Sequence, residues 1–217
     1  MFKSGSHQAV WDPQWLADFE ILEFPAGAKI ISLDEPLIYN YYLQSGICAR
    51  TNPTANGEDL IMQYLHAGDM IGLFLQQFGK TAVSQFEARK SCRCIRIPYE
   101  AVQEKVRSDS ALCYDLLQQT IWDLDFWAVS YLTKTLGGGI SILSLALLDQ
   151  ARKQSDGSWL IDPMFTNVEL SAYCGLHTVS ISRLMRQLTQ EGILERTREG
   201  ILLYNPEKLA DYAKGSD

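Results

Sequence analysis

Hydroxyl, imidazole and guanidinium side chains are concentrated on one side of a predicted helix near the carboxyl end of the chain. The positions on this side, which include one valine, are His177, Thr178, Val179, Ser180, Ser182, Arg183 and Arg186. No acidic residue follows until Glu191, although the whole chain has a formal net charge of −7. Such donors hydrogen-bond to phosphate oxygens and to the base edges of a duplex. The spacing therefore predicts a helix that contacts DNA.

Arg183 is the best single candidate for reading a base. Its guanidinium can donate two parallel hydrogen bonds to O6 and N7 of guanine, a contact worth ~1–3 kcal/mol of discrimination. Val179 lies one turn earlier on the same face, where its side chain can meet a thymine methyl group. An ordinary packed pair of helices with no nucleic-acid partner is the alternative interpretation.

Two helices and a tight turn are predicted to position these side chains. Thr166 and Glu169 have the spacing of a capping box, so a first helix starts here. Apolar residues from Leu170 onward recur at helical spacing and predict a buried face. Gly175 ends this helix, because glycine adopts the left-handed C-cap conformation without steric cost. The second helix then begins near His177.

The second helix has its own apolar face, and a small sheet follows it. Ile181, Leu184 and Leu188 fall at helical spacing and predict the side that packs inward. Residues 193–196 and 200–204 have the pattern of two strands joined by a charged tip. Together these elements predict a winged helix-turn-helix unit.

Length and composition indicate a folded protein of one large domain or two modest ones. The chain has 217 residues, of which 47% are hydrophobic, enough for substantial cores. The negative net charge argues against general attraction to nucleic acid, so DNA contact must come from local arginine clusters within residues 183–198. No stretch has the apolar length of a signal peptide or a membrane span, which predicts a cytoplasmic protein.

The cysteines do not form a recognisable framework. All 5 are scattered, with no C-x-x-C pair and no histidines at zinc-finger spacing, so we expect neither structural disulfides nor a metal site. Cys92 and Cys94 lie beside Arg93 and Arg96, whose charges could lower a thiol pKa and make the thiol redox-active. The alternative is that both cysteines fill a sheet as small apolar residues.

The pattern of apolar runs and turn residues from residue 21 to residue 98 is typical of an antiparallel β domain. Short apolar runs alternate with glycine and proline turns, and Asn56-Gly57 is a strong hairpin signal. The predicted strands cover residues 29–31, 37–43, 47–50, 60–65, 84–88 and 92–97. Their spacing predicts a jelly-roll barrel.

Helical patterns follow the barrel. A short helix over 99–106 precedes a run over 108–136 that contains neither glycine nor proline. A rod of this length measures ~40 Å, and its excess of apolar positions predicts pairing with a second copy of the chain. The alternative is a helix packed only against its own barrel. The glycines at 137–139 predict a hinge, and a further helix is expected over 140–153.

Several motifs resemble those of a known family. FPAGAKI, YYLQSGICAR, NGED and LHAGDMIG resemble the turns of its roll domain, and VELSAYCGLHTVSISRLMRQLTQEGIL resembles its helix-turn-helix. The chain is similar to the CRP/FNR family of bacterial transcription regulators over nearly its full length. This implies an α+β fold with an N-terminal antiparallel β jelly-roll of the cyclic-nucleotide-binding type, a long dimerisation helix and a C-terminal winged helix-turn-helix. The implied boundaries are 1–107, 108–137 and 138–217.

The resemblance also implies roles and partners. Thr178, Val179 and Arg183 lie where the family reads bases, with Ser180 and Ser182 near phosphate. An arginine-glutamate pair common at the first two positions is replaced by Thr178-Val179, so the operator should differ from the usual one. The implied partners are a two-fold symmetric double-stranded DNA operator, a second copy in a homodimer, RNA polymerase and a small-molecule effector, with no membrane.

The effector should also differ from those of well-known members. Cyclic-nucleotide members carry a Gly-Glu-x-x-x-x-Arg-Ser/Thr cassette, whereas no glutamate follows Gly72, and no cysteine cluster for an iron-sulfur centre precedes Cys48. The H-x-V-S-x-S-R run is similar to members that sense halogenated aromatic compounds. We expect no cofactor and a small, largely apolar or aromatic effector between roll and long helix. The pocket candidates, which could equally be plain core, are Tyr64, Leu73, Phe74, Phe86, Asp123, Phe126 and Trp127.

The predicted mechanism involves no catalysis, so no catalytic residue or metal ligand is expected. Effector binding would shift the hinge equilibrium and bring two recognition helices to the spacing of one operator. One alternative is a regulator without a ligand, either constitutive or switched by Cys92 and Cys94. Another is a cupin-type metal enzyme, for which His66 and Asp69 alone supply too few ligands.

Overall fold

A computed structural model describes residues 8–54, 59–73, 75 and 79–215 of the chain. These residues form two compact units, of which one ends at Thr120 and the other begins at Ile121. The Asn56-Gly57 turn predicted from the sequence lies outside the described residues. Each unit is described below by itself.

Antiparallel strands make up most of the first unit. They are Glu20–Phe24 (β1), Lys29–Ile31 (β2), Tyr39–Ser45 (β3), Ile47–Pro53 (β4), Asp59–His66 (β5), Met70–Ile71 (β6), Gln85–Ala88 (β7) and Cys92–Pro98 (β8). Among the described residues they form two 4-stranded sheets, in the orders β1-β8-β3-β6 and β2-β7-β4-β5. Strands adjacent in sequence mostly lie in different sheets, so the chain folds into a roll. The predicted antiparallel roll is confirmed, although β1 and β6 were not among the strands predicted.

Helices flank the roll strands in sequence. They are Pro13–Leu16 (α1), Tyr99–Ser108 (α2) and the first part of Ser110–Leu136 (α3). The sequence predicted one helix from residue 108, but α2 and α3 are separated at Asp109, whose backbone is extended. The Asp109 carboxylate accepts a hydrogen bond from the Leu112 amide at 3.0 Å and pairs with Lys105 at 3.0 Å. The carboxylate therefore caps α3, because it satisfies an amide that has no partner within the helix.

Two apolar clusters explain why this unit folds. Alternating residues of β3 and β8, including Leu43 and Cys94, point into the roll and are fully buried together with Cys48 of β4. The intervening residues of β8, such as Ile97, face the other way and pack against a second cluster that includes Leu116 of α3. The period-two pattern of the strands therefore divides the unit into an interior core and a helix-covered core.

The second unit contains the remaining elements. They are Gly139–Gln150 (α4), Arg152–Lys153 (β9), Trp159–Ile161 (β10), Asn167–Cys174 (α5), Thr178–Gln190 (α6), Leu194–Arg196 (β11), Ile201–Leu203 (β12) and Pro206–Ala213 (α7). The strands form one antiparallel sheet in the order β11-β12-β10-β9. The helix predicted over 140–153 is shorter than expected. It ends at Gln150 because Ala151 is extended, and the next two residues pair with β10.

The three consecutive glycines differ in their surroundings. A Cβ on Gly137 would lie 2.6 Å from the Thr133 carbonyl oxygen, and one on Gly139 would lie 3.3 Å from a methyl carbon of Leu184. A Cβ on Gly138 would meet nothing within 4 Å. Close packing therefore accounts for two of the glycines, and the predicted hinge has open space only at Gly138.

Among the helices of the described residues, none combines the length and the apolar character that a membrane span needs.

Candidate nucleic-acid interface

The first helix of the predicted helix-turn-helix unit begins and ends at the expected residues. The Thr166 hydroxyl accepts a hydrogen bond from the Glu169 amide at 3.2 Å, so threonine caps α5 as predicted. Gly175 closes α5 with a left-handed φ of 68°, a conformation that costs glycine little. Leu170 and Tyr173 are buried. These local signals fix where α5 stops and how short the turn to α6 is.

The recognition helix α6 buries one side and exposes the other. Ile181, Leu184 and Leu188 are buried as predicted, and Met185 joins them. His177 occupies the N-cap position with an extended backbone, and its side chain makes no capping hydrogen bond. The buried side chains hold α6 against the rest of the unit, so the opposite face is free to meet a partner.

The exposed face of α6 carries the side chains that the sequence assigned to DNA. His177, Thr178, Val179, Arg183 and Arg186 are exposed, and Ser180 and Ser182 are partly exposed. The Val179 side chain is 81% exposed. An apolar side chain next to arginines suits contact with both thymine methyl groups and polar base edges.

A chain of hydrogen bonds joins the wing, α5 and α6. Arg196 of β11 donates to the Phe165 carbonyl at 3.3 Å and to the Asn167 side-chain oxygen at 2.7 Å. The Asn167 amide nitrogen donates to the Ser182 hydroxyl at 3.0 Å, and that hydroxyl donates to the Thr178 carbonyl at 2.9 Å. These contacts fix α6 relative to the first helix and the wing.

These hydrogen bonds change the interpretation of Ser182 and Arg196, and they give a structural role to Asn167. The Ser182 hydroxyl already has partners within the protein, so its predicted contact with phosphate remains a prediction. Arg196, counted among the basic residues near DNA, is tied to α5, and burial lowers the pKa of its guanidinium. Asn167 was not singled out from the sequence. A polar residue at the first position of α5 was the only available signal.

The negative charge of the acidic residue at the end of α6 is compensated by residues of α7. Glu191 accepts hydrogen bonds from the Tyr212 hydroxyl at 2.7 Å and from Gln187 at 3.1 Å, and it pairs with Lys208 at 3.0 Å. The hydrogen bond from Tyr212, followed by those from Lys208 and Gln187, lowers the pKa of Glu191 to about 2. The Glu191 carboxylate therefore interacts with α7, where a positive charge compensates it, and it does not offset the arginine charges on the exposed face of α6.

The wing is a short hairpin whose tip is exposed. β11 and β12 pair in antiparallel register, with Arg196 opposite Ile201. At the tip, the Thr197 amide donates to the Gly200 carbonyl at 2.7 Å, and Arg198 is exposed. Gly200 has a φ of 142°, and a Cβ there would lie 2.0 Å from the Ile161 carbonyl oxygen of β10. The wing therefore requires glycine at this corner.

The predicted effector-pocket residues lie in different parts of the structure. Phe86 belongs to the roll interior, whereas Leu73 packs against the helix-covered core. Tyr64 is buried on β5, and Phe74 lies outside the described residues. The other three candidates, which are on α3 in the second unit, are Asp123, Phe126 and Trp127. Leu73 and Phe86 thus contribute to separate clusters, and the complete pocket remains a prediction.

The cysteines of the roll are packing residues. Cys48, Cys92 and Cys94 are buried in the roll interior. Burial is the main reason that the pKa of Cys92 is raised and that of Cys94 is raised to about 12. The suggestion that neighbouring arginines lower these thiol pKa values is therefore wrong, because the loss of water outweighs them. A thiol that stays protonated reacts slowly with oxidants.

Within the part of the chain that the structure describes, no three His, Cys, Asp or Glu side chains come together as metal ligands.

Family models match both units. A model described as the cyclic nucleotide-binding domain matches residues 21–109, and one described as the Crp-like helix-turn-helix domain matches residues 142–212. The first match covers the roll with α2, and the second covers the helix-turn-helix unit with its wing. The two matches define a DNA-binding regulator whose first unit is a roll domain of the cyclic-nucleotide-binding type.

Similar proteins agree with this assignment. The chain is 22% identical over 198 residues to the cAMP-activated global transcriptional regulator CRP of Salmonella typhimurium, a match that covers 88% of this chain and 93% of that protein. The solved structure of FixK2 from Bradyrhizobium japonicum has a TM-score of 0.76 and 20% identity, and covers 89% of this chain and 96% of that one. CprK complexed with OCPA has a TM-score of 0.63 and 17% identity, with coverages of 90% and 91%. The chain belongs to the CRP/FNR family of DNA-binding transcription regulators.

Proposed function

We propose that this regulator binds a two-fold symmetric operator as a homodimer and that a small organic effector switches its affinity. The observation that carries the DNA-reading part is the exposed face of α6, where Val179 and Arg183 stand one turn apart with no acidic residue near them in sequence. Their exposure leaves them without a packing role. Insertion of α6 into a major groove gives both side chains a use.

The dimer is proposed on the surface of α3. A row of its exposed side chains is spaced alternately by three and four residues, which is the spacing of a coiled-coil seam. The row consists of Tyr114, Leu117, Ile121, Leu124, Ala128 and Tyr131. Leu124 is 70% exposed and Tyr131 is 70% exposed in the isolated chain. Exposed apolar residues in such a regular row mark a surface that another helix covers.

Pairing of two chains along α3 would present two copies of α6. Operators of such dimers have half-sites about 34 Å apart, one turn of the duplex. A two-fold symmetric site follows, because the two subunits are related by a two-fold axis. RNA polymerase is a further proposed partner, since a bound regulator acts on transcription through it.

The effector is proposed to be something other than a cyclic nucleotide. Leu73 follows Gly72 at the position where the cyclic-nucleotide cassette has glutamate. A small organic molecule that prefers one state of the hinge would shift the population of DNA-binding dimers.

Selection from a random duplex library tests the DNA-reading function. The full-length protein should enrich a two-fold symmetric sequence, with half-sites one duplex turn apart. If no sequence is enriched, or if an asymmetric single half-site is enriched, the proposed mode of binding is wrong.

Two leucine variants on α3 test the dimer. Leu124→Glu should convert the dimer to a monomer and weaken operator binding, because a charge in the seam loses its hydration without gaining a partner. Leu136→Glu is the matched control, since Leu136 is 80% exposed and does not belong to the row. Light scattering coupled to size exclusion measures the mass of each variant. A dimeric Leu124→Glu protein would contradict the assignment.

A further inference from the structure

One arginine of the first unit points into the roll. Arg50 lies on β4, two residues after Cys48, and therefore on the same side of the strand. It pairs in register with Phe86 of β7, which belongs with Cys48 to the apolar roll interior. The Arg50 guanidinium carbon lies 5.9 Å from the centre of the Phe86 ring. A cation is thus placed at the edge of an otherwise apolar cluster.

The contacts of Arg50 are incomplete. Its Nε donates a hydrogen bond to the Ser84 hydroxyl at 3.0 Å. Within the residues that the structure describes, no carboxylate pairs with Arg50, and its two terminal nitrogens have no hydrogen-bond partner. In the same unit, Arg89 pairs with Glu87 at 3.1 Å and Arg96 pairs with Glu20 at 2.6 Å. Arg50 is therefore a partly buried cation without a counter-charge from the described chain.

An arrangement of this kind costs stability. Moving a charge away from water is unfavourable unless an opposite charge or several hydrogen bonds compensate it. The loss of hydration is also visible in the pKa of Arg50, which burial lowers. An apolar side chain would fill the same place more favourably. A partly buried cation without a counter-charge therefore indicates a place where a ligand could supply the negative charge.

The neighbours of Arg50 define what that ligand needs. The Ser84 oxygen accepts from Arg50 and retains its own hydrogen for donation to a second acceptor, and Ser84 is only 1% exposed. The terminal nitrogens of a guanidinium form a planar fork that matches a carboxylate. A single positive charge balances a carboxylate but leaves doubly charged inorganic phosphate or a phosphate monoester uncompensated. The Phe86 ring, which is 3% exposed, lies beside the guanidinium, so an apolar body that contacts this ring would have to enter the roll interior.

We propose that the roll interior binds a small organic carboxylate, whose oxygens are held by the terminal nitrogens of Arg50 and the hydroxyl of Ser84, with its apolar or aromatic body against Phe86. The proposal deepens the proposed function, because this carboxylate would be the effector. It names a chemical class for the effector and one residue, Arg50, on which recognition of the charge depends. Carboxylate binding can be measured without DNA, so the carboxylate site and the DNA-reading function can be refuted independently.

Thermal unfolding with matched probes tests the proposal. Benzoate, phenylacetate and salicylate, each at millimolar concentration, are compared with the neutral benzamide and phenylacetamide. The carboxylates should raise the Tm of the full-length protein, because a ligand that binds only the folded state stabilises it, and the amides should not. Inorganic phosphate and cAMP serve as the phosphate arm and should leave the Tm unchanged.

Three variants locate the site. Arg50→Gln should weaken carboxylate binding by about tenfold to a hundredfold, since hydrogen bonds to a charged partner are lost. Arg93→Gln is the matched control, because Arg93 lies on β8 of the same unit and is exposed. Arg50→Met retains the alkyl stem and removes the charge, so it should abolish the carboxylate response while raising the Tm of the ligand-free protein by about 2 °C or more.

Several results would overturn the proposal. The first is that no carboxylate raises the Tm of the unaltered protein, and the second is that carboxylates raise the Tm of Arg50→Gln and of the unaltered protein equally. The third is that the amides or phosphates raise the Tm and the carboxylates do not. The fourth is that the Arg50→Met protein is less stable than the original. Operator selection and carboxylate titration, both carried out on the unaltered protein, separate the two ideas. An enriched operator together with no carboxylate response leaves the DNA-reading function standing and rejects the anion site, whereas carboxylate binding without operator enrichment does the reverse.

Discussion

Replacement of Arg183 by alanine should remove operator preference while leaving the fold intact. Arg183 is exposed on α6, opposite the buried leucines, so the free energy of unfolding should change by less than about 0.5 kcal/mol. A guanidinium that donates two hydrogen bonds to a guanine contributes about 1–3 kcal/mol of discrimination. Two copies in a dimer would contribute about 2–6 kcal/mol, which corresponds to a preference of roughly 30-fold to 20,000-fold.

The assay compares two duplexes at one salt concentration. Fluorescence anisotropy gives the Kd of the selected operator and of a duplex in which the guanine of each half-site has been exchanged. The unaltered protein should separate the two duplexes by the factor above, and Arg183→Ala should bind them almost equally. The salt concentration must be fixed, because phosphate contacts make every Kd salt-dependent.

Arg186→Ala provides the matched control for this experiment. Arg186 is exposed on the same helix, and a phosphate contact there would weaken binding to both duplexes equally. Its loss from both subunits should reduce the slope of log K against log salt by about 2. The reasoning is refuted if Arg183→Ala keeps the preference of the original protein, or if its Tm falls enough to indicate a structural role.

Three further outcomes follow from the contacts of the second unit. Asn167→Ala should lower the free energy of unfolding by about 0.5–1.5 kcal/mol in urea titrations, since Arg196 loses a hydrogen-bond acceptor, whereas a change below the error of the titration would show that the contact is dispensable. Gly200→Ala should lower the free energy of unfolding by more than about 1 kcal/mol, because its Cβ would lie 2.0 Å from a carbonyl oxygen of β10. Gly138→Ala is the control and should be tolerated, because its Cβ would meet nothing within 4 Å. Equal effects of the two substitutions would contradict this reasoning. The pKa of Glu191 is lowered in the folded state, so the carboxylate stabilises the protein fully above its ordinary pKa of 4.5 and loses this contribution as the pH falls toward about 2. The gap in urea midpoint between the original protein and Glu191→Gln should therefore narrow across that range, and a constant gap would be inconsistent with it.

The features that follow from local sequence were predictable. Thr166 and Gly175 mark the ends of α5 because capping and left-handed backbone depend on residues next to each other in the chain. The buried face of α6 follows from helical spacing alone. Even here local signals had limits, since the long helix starts after Asp109 and α4 ends at Gln150, one or a few residues from the predicted boundaries.

The features that depend on distant residues were not predictable in the same way. Asn167 contacts Arg196, 29 residues away, and Ser182, 15 residues away, and no periodicity signals such a meeting. Arg50 was placed on a strand from the sequence, but its lack of a counter-charge emerges only when the neighbouring strand is in position. The redox suggestion for Cys92 failed for a related reason, because adjacent arginines in sequence say nothing about burial.

The hydrogen-bonded connection of wing, first helix and α6 separates two tasks that one short helix must perform. The residues that fix its placement are anchored inward, and the Thr178 hydroxyl donates to the Ser171 hydroxyl of α5 at 3.3 Å, whereas the exposed side chains of Val179 and Arg183 have no part in that anchoring. Substitutions at Val179 and Arg183 can therefore accumulate without loss of folding. Under the proposed reading of bases by these two residues, a lineage can acquire a new set of target promoters by exchanging a few surface groups, and a designer can retarget the protein in the same way.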